Sequence, residues 1–313
     1  MLVLVAPGQG AQAPGFLTPW LAVDGVADRL RAWSDPAGLD LVHYGTEAGA
    51  EEIKDTAVAQ PLLVAAGLAT GYALLPELAA DPAALKGTVG AVAGHSVGEI
   101  TAAALAGSLS PEAALAFVRE RGLGMAEAAA VTATGMSAVL GGDPEEVAAK
   151  LAEHGLTAAN NNGGGQVVAA GTLEQLDALK ADPPAKARII PLAVAGAFHT
   201  AHMAPGVERL AKHAEGVTAA DPAFTYLSNA DGQAVATGAE LVRRLVDQVS
   251  NPVRWDLCME RLGELGATCV IEVSPAGTLT NLVKRNLKGV ATLALKTPDD
   301  LAKARELVAE HAG

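Results

Sequence analysis

Gly94-His95-Ser96-Val97-Gly98 is preceded by Thr88-Val89-Gly90-Ala91-Val92-Ala93 and followed by Glu99-Ile100-Thr101-Ala102-Ala103-Ala104-Leu105. The first flank is short and apolar, and the second is rich in helix formers. The G-x-S-x-G pentapeptide therefore falls on a predicted strand-to-helix turn, the setting of a nucleophile elbow. A serine on so sharp a turn has its hydroxyl exposed. Gly94 and Gly98 remove the Cβ atoms that would collide as the helix doubles back over the strand. The helix N-terminus then directs backbone N–H groups at any negative oxygen that forms beside Ser96. A simple Gly/Ser turn has the same composition; the two flanks are what argue for the elbow.

Working outward, the 313 residues allow one large domain or a large domain with a smaller insert. Half the chain is hydrophobic and only 3% aromatic, so the core must be built from Ala, Val and Leu. That composition suits an α/β fold with buried parallel strands. A formal net charge of −13 argues against nucleic acid or an anionic membrane as the main partner. Cys258 and Cys269 have neither metal-ligand spacing nor a disulfide framework, and are expected to be buried thiols in a reducing cytoplasm. The N-terminal Met1-Leu2-Val3-Leu4-Val5-Ala6 lacks a basic n-region, and Pro7-Gly8 follows too early for a signal peptide. No apolar run is expected to span a bilayer. A cytoplasmic protein is expected.

Residues 2–6 read as a first strand ending at the loop Pro7-Gly8-Gln9-Gly10-Ala11-Gln12. Helical patterns fill much of 50–80, and the strand of the elbow follows near 88–94. A helix capped by Ser110, with Pro111 in its first turn, comes after the elbow helix. Between 131 and 192 the pattern changes. Strands are expected at 136–140, 166–170 and 187–194, with a helix opened by Asp143-Pro144-Glu145-Glu146 and another over 172–181. This strand-helix-strand, strand-helix-strand order predicts an inserted ferredoxin-like subdomain. Alternating helix and strand resume over 195–313, with 268–273 a buried strand.

A serine hydroxyl needs an adjacent base to act as a nucleophile. His43, His154, His213 and His311 lie in polar or terminal helical stretches. His95 precedes the serine and is expected to pack beneath the turn. His199 and His202 remain, in Gly196-Ala197-Phe198-His199-Thr200-Ala201-His202, directly after the apolar run 189–194. A strand end is where open α/β sheets place their sites, so His199 is the expected base and His202 is expected to be structural. Asp221, Asp231, Asp247 and Asp256 have no distinctive context as a third triad member, and a backbone carbonyl can orient the imidazole instead.

Arg121 falls on the inward face of its helix, with Ala114, Val118, Gly122 and Met125. A buried guanidinium needs a partner, and positions one turn away supply no carboxylate. It either pairs with a distant acid, snorkels outward, or holds a substrate carboxylate bidentately. Gln9, between Gly8 and Gly10, is placed to offer a second backbone donor to the serine. The run Asn160-Asn161-Asn162-Gly163-Gly164-Gly165 lacks the Lys-Ser/Thr of a phosphate loop, and no helix follows it, so nucleotide binding is rejected. Its asparagines could still line a pocket.

Taken together, Gly8-Gln9-Gly10-Ala11-Gln12, Gly94-His95-Ser96-Val97-Gly98-Glu99, Arg121-Gly122 with Met125, Asn160-x-Asn162 before Gly165-Gln166-Val167-Val168, Phe198-His199 and Asn251-Pro252-Val253-Arg254-Trp255 stand in one order. In this the chain, from about residue 2 to about 296, resembles the malonyl-CoA:acyl carrier protein transacylases of bacterial fatty-acid synthesis. The resemblance implies an α/β fold with an α/β-hydrolase-like large subdomain, 1–129 and 193–313, and an inserted ferredoxin-like small subdomain, 130–192. It implies Ser96 as nucleophile, His199 as general acid/base, and the main-chain carbonyl of Gln248 orienting the histidine. Backbone N–H groups of Gln9 and Val97 would form the oxyanion hole, and Arg121 would bind the malonyl carboxylate. Asn160 and Asn162 would contribute to the pocket floor and the histidine's surroundings. Val97 and Phe198 match the malonyl-selecting pattern of related polyketide acyltransferase domains, with Phe198 leaving little room for an α-methyl branch. The chain departs from the pattern at Ala11, where serine is usual, and Thr200 occupies a variable position.

The implied reaction is malonyl transfer from malonyl-CoA to acyl carrier protein through a malonyl-serine ester. It needs no cofactor and no metal. The implied partners are malonyl-CoA and acyl carrier protein, with no nucleic acid and no membrane, and a monomer is expected. Because carrier proteins are acidic, a local basic rim is expected at Lys284, Arg285 and Lys288, or at Lys186 and Arg188. A discrete acyltransferase serving a polyketide synthase shares the chemistry. A serine thioesterase would share the elbow but has no use for an inward Arg121, and a non-catalytic carrier-docking protein would not need Ser96, His199 and Arg121 together.

Overall fold

A computed structural model describes residues 1–312. Its strands are β1 (Leu2–Ala6), β2 (Val89–Gly94), β3 (Thr134–Gly141), β4 (Thr157–Asn161), β5 (Gln166–Thr172), β6 (Ala187–Pro191), β7 (Thr225–Leu227), β8 (Ala234–Val235), β9 (Val253–Arg254), β10 (Cys269–Glu272) and β11 (Ala291–Ala294). They form two sheets in a mixed α/β fold. The six-stranded sheet runs β11-β10-β1-β2-β7-β8, parallel throughout except for the β7–β8 pair. Its central strand β1 is buried along its whole length, as a parallel strand covered on both faces must be.

The five-stranded sheet runs β6-β3-β5-β4-β9. Its first four strands are antiparallel, with helices Pro144–Glu153 and Leu173–Ala181 between them in sequence. Val139, Val147, Leu151, Ala169 and Leu179 give it a small core of its own. The caps read from the sequence are in place. The Ser110 hydroxyl accepts from Ala113 N, and the Asp143 carboxylate accepts from the N–H groups of Glu145 and Glu146.

Three expectations change. The strand anticipated over 187–194 lies in the small sheet as expected, at its edge, but ends at Pro191. A proline without an N–H suits an edge, and beyond it the chain turns away toward His199. Val253–Arg254, far outside 130–192, pairs parallel with β4 and completes the small sheet. Finally, helix Thr56–Leu74, at 19 residues, is long and apolar enough to cross a membrane by length and composition. Here it is the central core helix, apolar all round because it is buried nearly all round, against the elbow helix Gly98–Leu105 and helix Pro111–Ala129.

Candidate active site

β2 ends at Gly94 and helix Gly98–Leu105 starts four residues later, with Ser96 at the tip. A Cβ added at Gly94 would lie inside the backbone of Gly98 and Glu99, and one at Gly98 would lie inside that of Ala6. Both glycines are therefore required by contact with neighbouring main chain. Ser96 has φ 54°, a left-handed conformation that a non-glycine residue holds only under constraint. The constraint is visible: Ser96 N–H donates to Asn229 Oδ1 at 2.8 Å, and Asn229 Nδ2 donates to Gly94 O at 2.8 Å.

His199 lies on the loop between the two sheets, also at a positive φ of 61°. The expectation that it directly follows a strand end changes, because β6 stops at Pro191, eight residues earlier. The loop is shaped by Thr200, whose hydroxyl donates to Ala197 O at 2.7 Å and caps the turn that follows. His199 Nε2 lies 2.7 Å from Ser96 Oγ, and its Nδ1 lies 2.9 Å from Gln248 O. A carbonyl can only accept, so Nδ1 carries the proton and Nε2 faces the serine as an acceptor. Burial, then the nearby Arg121 cation, pulls the imidazole down from its usual range to about 3, so it is neutral.

Arg121 is 1% exposed and has no carboxylate within ion-pair distance among the described residues. One guanidinium nitrogen donates to Gln60 Oε1 at 2.7 Å; the other donates to Gln248 Oε1 at 2.7 Å and to Ser96 Oγ at 3.2 Å. Its Nε is buried without a partner among the described residues. Burial draws its pKa down to about 10, partly offset by Glu99, so the charge persists at neutral pH. The serine oxygen thus sits between a neutral imidazole that can take its proton and a cation that can steady the resulting charge. That is the arrangement nucleophilic acyl transfer needs.

The loop carrying Gln9 packs against the elbow so closely that a Cβ on Gly8 would meet His95 O at 2.9 Å. The N–H groups of Gln9 and Val97 have no hydrogen-bond partner among the described residues, which leaves both free to donate. Phe198 and Met136 close the apolar side of a cavity of about 90 Å³ over Ser96 and His199. It shares Gln9, His95, Asn160 and Leu192 with a cleft of about 410 Å³ that reaches helix Thr278–Asn286 and Arg285. Asn160 and Asn162 meet a different histidine from the expected one. Asn162 Oδ1 is 2.9 Å and Asn160 Nδ2 3.4 Å from Nε2 of His95, whose half-buried ring forms part of the cavity wall. His202 makes no side-chain bond to the site.

Gln60, Asn229 and the side chain of Gln248 went unread in the sequence. Their partners are 61, 133 and 127 residues away, respectively. Only the position of Asn229 just past the end of β7 could have pointed to it.

Comparison with known proteins identifies the family. Residues 3–305 match the family described as the acyl transferase domain. The malonyl CoA-acyl carrier protein transacylase of Mycobacterium tuberculosis is 50% identical over 307 residues, covering 98% of this chain and 100% of the relative. That of Bacillus subtilis is 32% identical over 319 residues, covering 99% and 98%. The crystal structure of MCAT from M. tuberculosis superposes with a TM-score of 0.92 at 49% identity, over 97% of this chain and 99% of that one. A malonyl-transacylase solved in complex with its type II polyketide-synthase acyl-carrier protein gives 0.88 at 31% identity, over 98% and 99%. The chain is an acyltransferase and belongs to the family of the malonyl-CoA:acyl carrier protein transacylases.

Proposed function

We propose that the chain moves a malonyl group from malonyl-CoA to the phosphopantetheine thiol of acyl carrier protein through a malonyl ester on Ser96. In the first half, Ser96 Oγ attacks the thioester carbon as His199 Nε2 takes its proton. The C–S bond breaks, coenzyme A leaves with that proton, and the ester remains. In the second half the carrier thiol gives its proton to His199, attacks the ester, and Ser96 regains the proton as the C–O bond breaks. The Gln248 carbonyl keeps His199 in the required tautomer. The free N–H groups of Gln9 and Val97 serve the tetrahedral oxyanion, and Arg121 takes the malonyl carboxylate. Phe198 bounds the α-carbon, and Asn160 and Asn162 act as substrate-lining residues through their hold on His95. The overall exchange, thioester for thioester, is nearly isoenergetic and calls for no metal or redox cofactor.

The observation that carries this reading is Arg121, a buried cation at 3.2 Å from the serine oxygen whose contacts are all neutral. A hydrolase acting on uncharged acyl groups would leave the guanidinium donors beside the serine without an anionic partner.

The strand order β6-β3-β5-β4 supports a ferredoxin-like subdomain at 130–192, and the parallel sheet with its elbow supports an α/β-hydrolase-like remainder, 1–129 and 193–313. We expect a cytoplasmic monomer. The relative solved with a polyketide carrier makes a polyketide-synthase carrier a second candidate for the acceptor. Arg285, exposed on the cleft wall beside exposed Lys284 and Lys288, supports carrier docking there, with Lys186 and Arg188 the other candidates.

Intact-protein mass spectrometry tests the reading. Malonyl-CoA should leave one malonyl adduct, lost in Ser96→Ala and discharged by holo carrier protein. An adduct that persists in Ser96→Ala, or one that water removes as fast as the carrier does, would contradict it.

A further inference from the structure

Glu99 lies in the first turn of the elbow helix, is 1% exposed, and takes no part in the chemistry proposed above. Among the described residues its carboxylate has no ion-pair partner. Both oxygens are nonetheless occupied. Oε1 accepts from Asn229 N at 2.7 Å, and Oε2 accepts from Gln248 Nε2. The same Gln248 Nε2 reaches Ser96 O at 3.0 Å, and at the other end of that amide Oε1 accepts from Arg121 at 2.7 Å. A chain of donors and acceptors thus runs from Arg121 through the Gln248 amide to Glu99.

An amide between two neutral polar groups can sit either way round. Here it cannot. A guanidinium only donates, while the Ser96 carbonyl, and Glu99 once ionised, only accept, so the two ends fix the polarity of the amide between them. The amide also keeps the carboxylate off the guanidinium. Glu99 offsets the buried charge at a distance, as its upward effect on the Arg121 pKa records, without occupying the donors a ligand carboxylate would use.

We propose that Glu99 is a positioning residue that sets the orientation of the Gln248 side-chain amide and thereby holds Arg121 in register with the acyl carboxylate. The proposal rests on the acyl-transfer reading above. In Glu99→Gln, the new amide keeps its oxygen on the immovable main-chain N–H of Asn229, so its NH2 group faces Gln248. Gln248 Nε2 then faces a donor, and turning over to relieve that clash gives up the Ser96 carbonyl, points its NH2 at the guanidinium and costs Arg121 an acceptor. Gln248→Leu severs the same chain at its middle but retains the main-chain carbonyl that orients His199.

The test compares loading rates from malonyl-CoA and acetyl-CoA, alongside the reaction of Ser96 with a small neutral fluorophosphonate. In both variants the malonyl-to-acetyl rate ratio should fall about tenfold or more, the scale of a lost hydrogen bond to a charged group. Fluorophosphonate reactivity of Glu99→Gln should stay within about twofold, and the double variant should lose no more selectivity than either single one, as expected of residues in one chain. A ratio unchanged in either folded variant overturns the proposal, as does strict additivity. If Glu99→Gln does not fold, Gln248→Leu alone decides. A parallel fall in all three rates would mark Glu99 as merely structural and would likewise overturn it. Absence of malonyl preference in the wild type would instead bring down the acyl-transfer reading and this proposal with it.

Discussion

Ser96 and His199 face each other from two backbone positions held in the left-handed region, and neither is a glycine. Such strain persists only where the surroundings over-determine it, and here Asn229 and Thr200 do so. Because burial and the Arg121 cation draw His199 from 6.5 to about 3, the imidazole stays a competent base well into acid. The rate at which a neutral organophosphorus reagent modifies Ser96 should therefore show no fall centred near the ordinary histidine value. A midpoint at that value would mean that His199 is solvated in the working enzyme. At Phe198, one methyl group is worth about 1–3 kcal/mol of discrimination, so Phe198→Ala should raise methylmalonyl loading relative to malonyl roughly tenfold or more, read from competing adducts. An unchanged ratio would remove Phe198 from the specificity wall. Ser96, His199 and Arg121 were legible in the sequence because each breaks a local rule: a serine between two glycines, a histidine after an apolar run, a cation on an apolar helix face. Gln60 and the Gln248 side chain break none. They matter only through contacts made across the fold.

Helices and strands position these residues by devices that vary in how well they can be read. The elbow is local, since its glycines answer to main chain only a few residues away or one strand across. The limit of β6 was misread because apolar residues continue through 189–194, whereas sheet pairing is governed by main-chain donors, and strand geometry stops at Pro191. β9 was invisible because two residues carry no periodicity. Helix Thr278–Asn286, which walls the cleft, has no capping side chain of its own, as its cap position is Gly277. Glu272, buried at the end of β10, supplies the cap from outside by accepting from the N–H groups of Gly277, Leu279 and Thr280 at 2.9, 3.0 and 2.8 Å. Glu272→Ala would strand three donors at once and should destabilise the fold by about 2–3 kcal/mol or more in urea unfolding. It should also raise the KM for malonyl-CoA more than it lowers kcat. A loss below about 0.5 kcal/mol would show that the helix start does not depend on this carboxylate.

Over the whole molecule, two buried groups pull the pH dependence of stability in opposite directions. Burial raises Glu99 from 4.5 to about 7, so the native state holds a proton that the unfolded chain has released, and Glu99 makes stability fall as pH rises across that window. His199, lowered from 6.5 to about 3, refuses a proton that the unfolded chain accepts, and its contribution is lost as pH falls through that range. The two oppose each other where the windows overlap. Relative to the wild type, Glu99→Gln should therefore gain stability with rising pH across the overlap, read as urea midpoints at its two ends; identical slopes would show that Glu99 does not titrate there. The acidic surface, with a net charge of −13, leaves an acidic carrier dependent on local cations. Reversing Lys284 and Arg285 to Glu should raise the carrier KM and spare malonyl loading from coenzyme A, whereas an unchanged carrier KM would move docking to Lys186 and Arg188. All of this presupposes that hydroxyl, imidazole and guanidinium meet on one small diacid. The most direct measurement is time-resolved intact-mass loading of Arg121→Ala with malonyl-CoA and acetyl-CoA in competition. Malonyl loading should collapse while acetyl loading is retained, reversing the preference. A variant that still prefers malonyl would contradict the account at its centre.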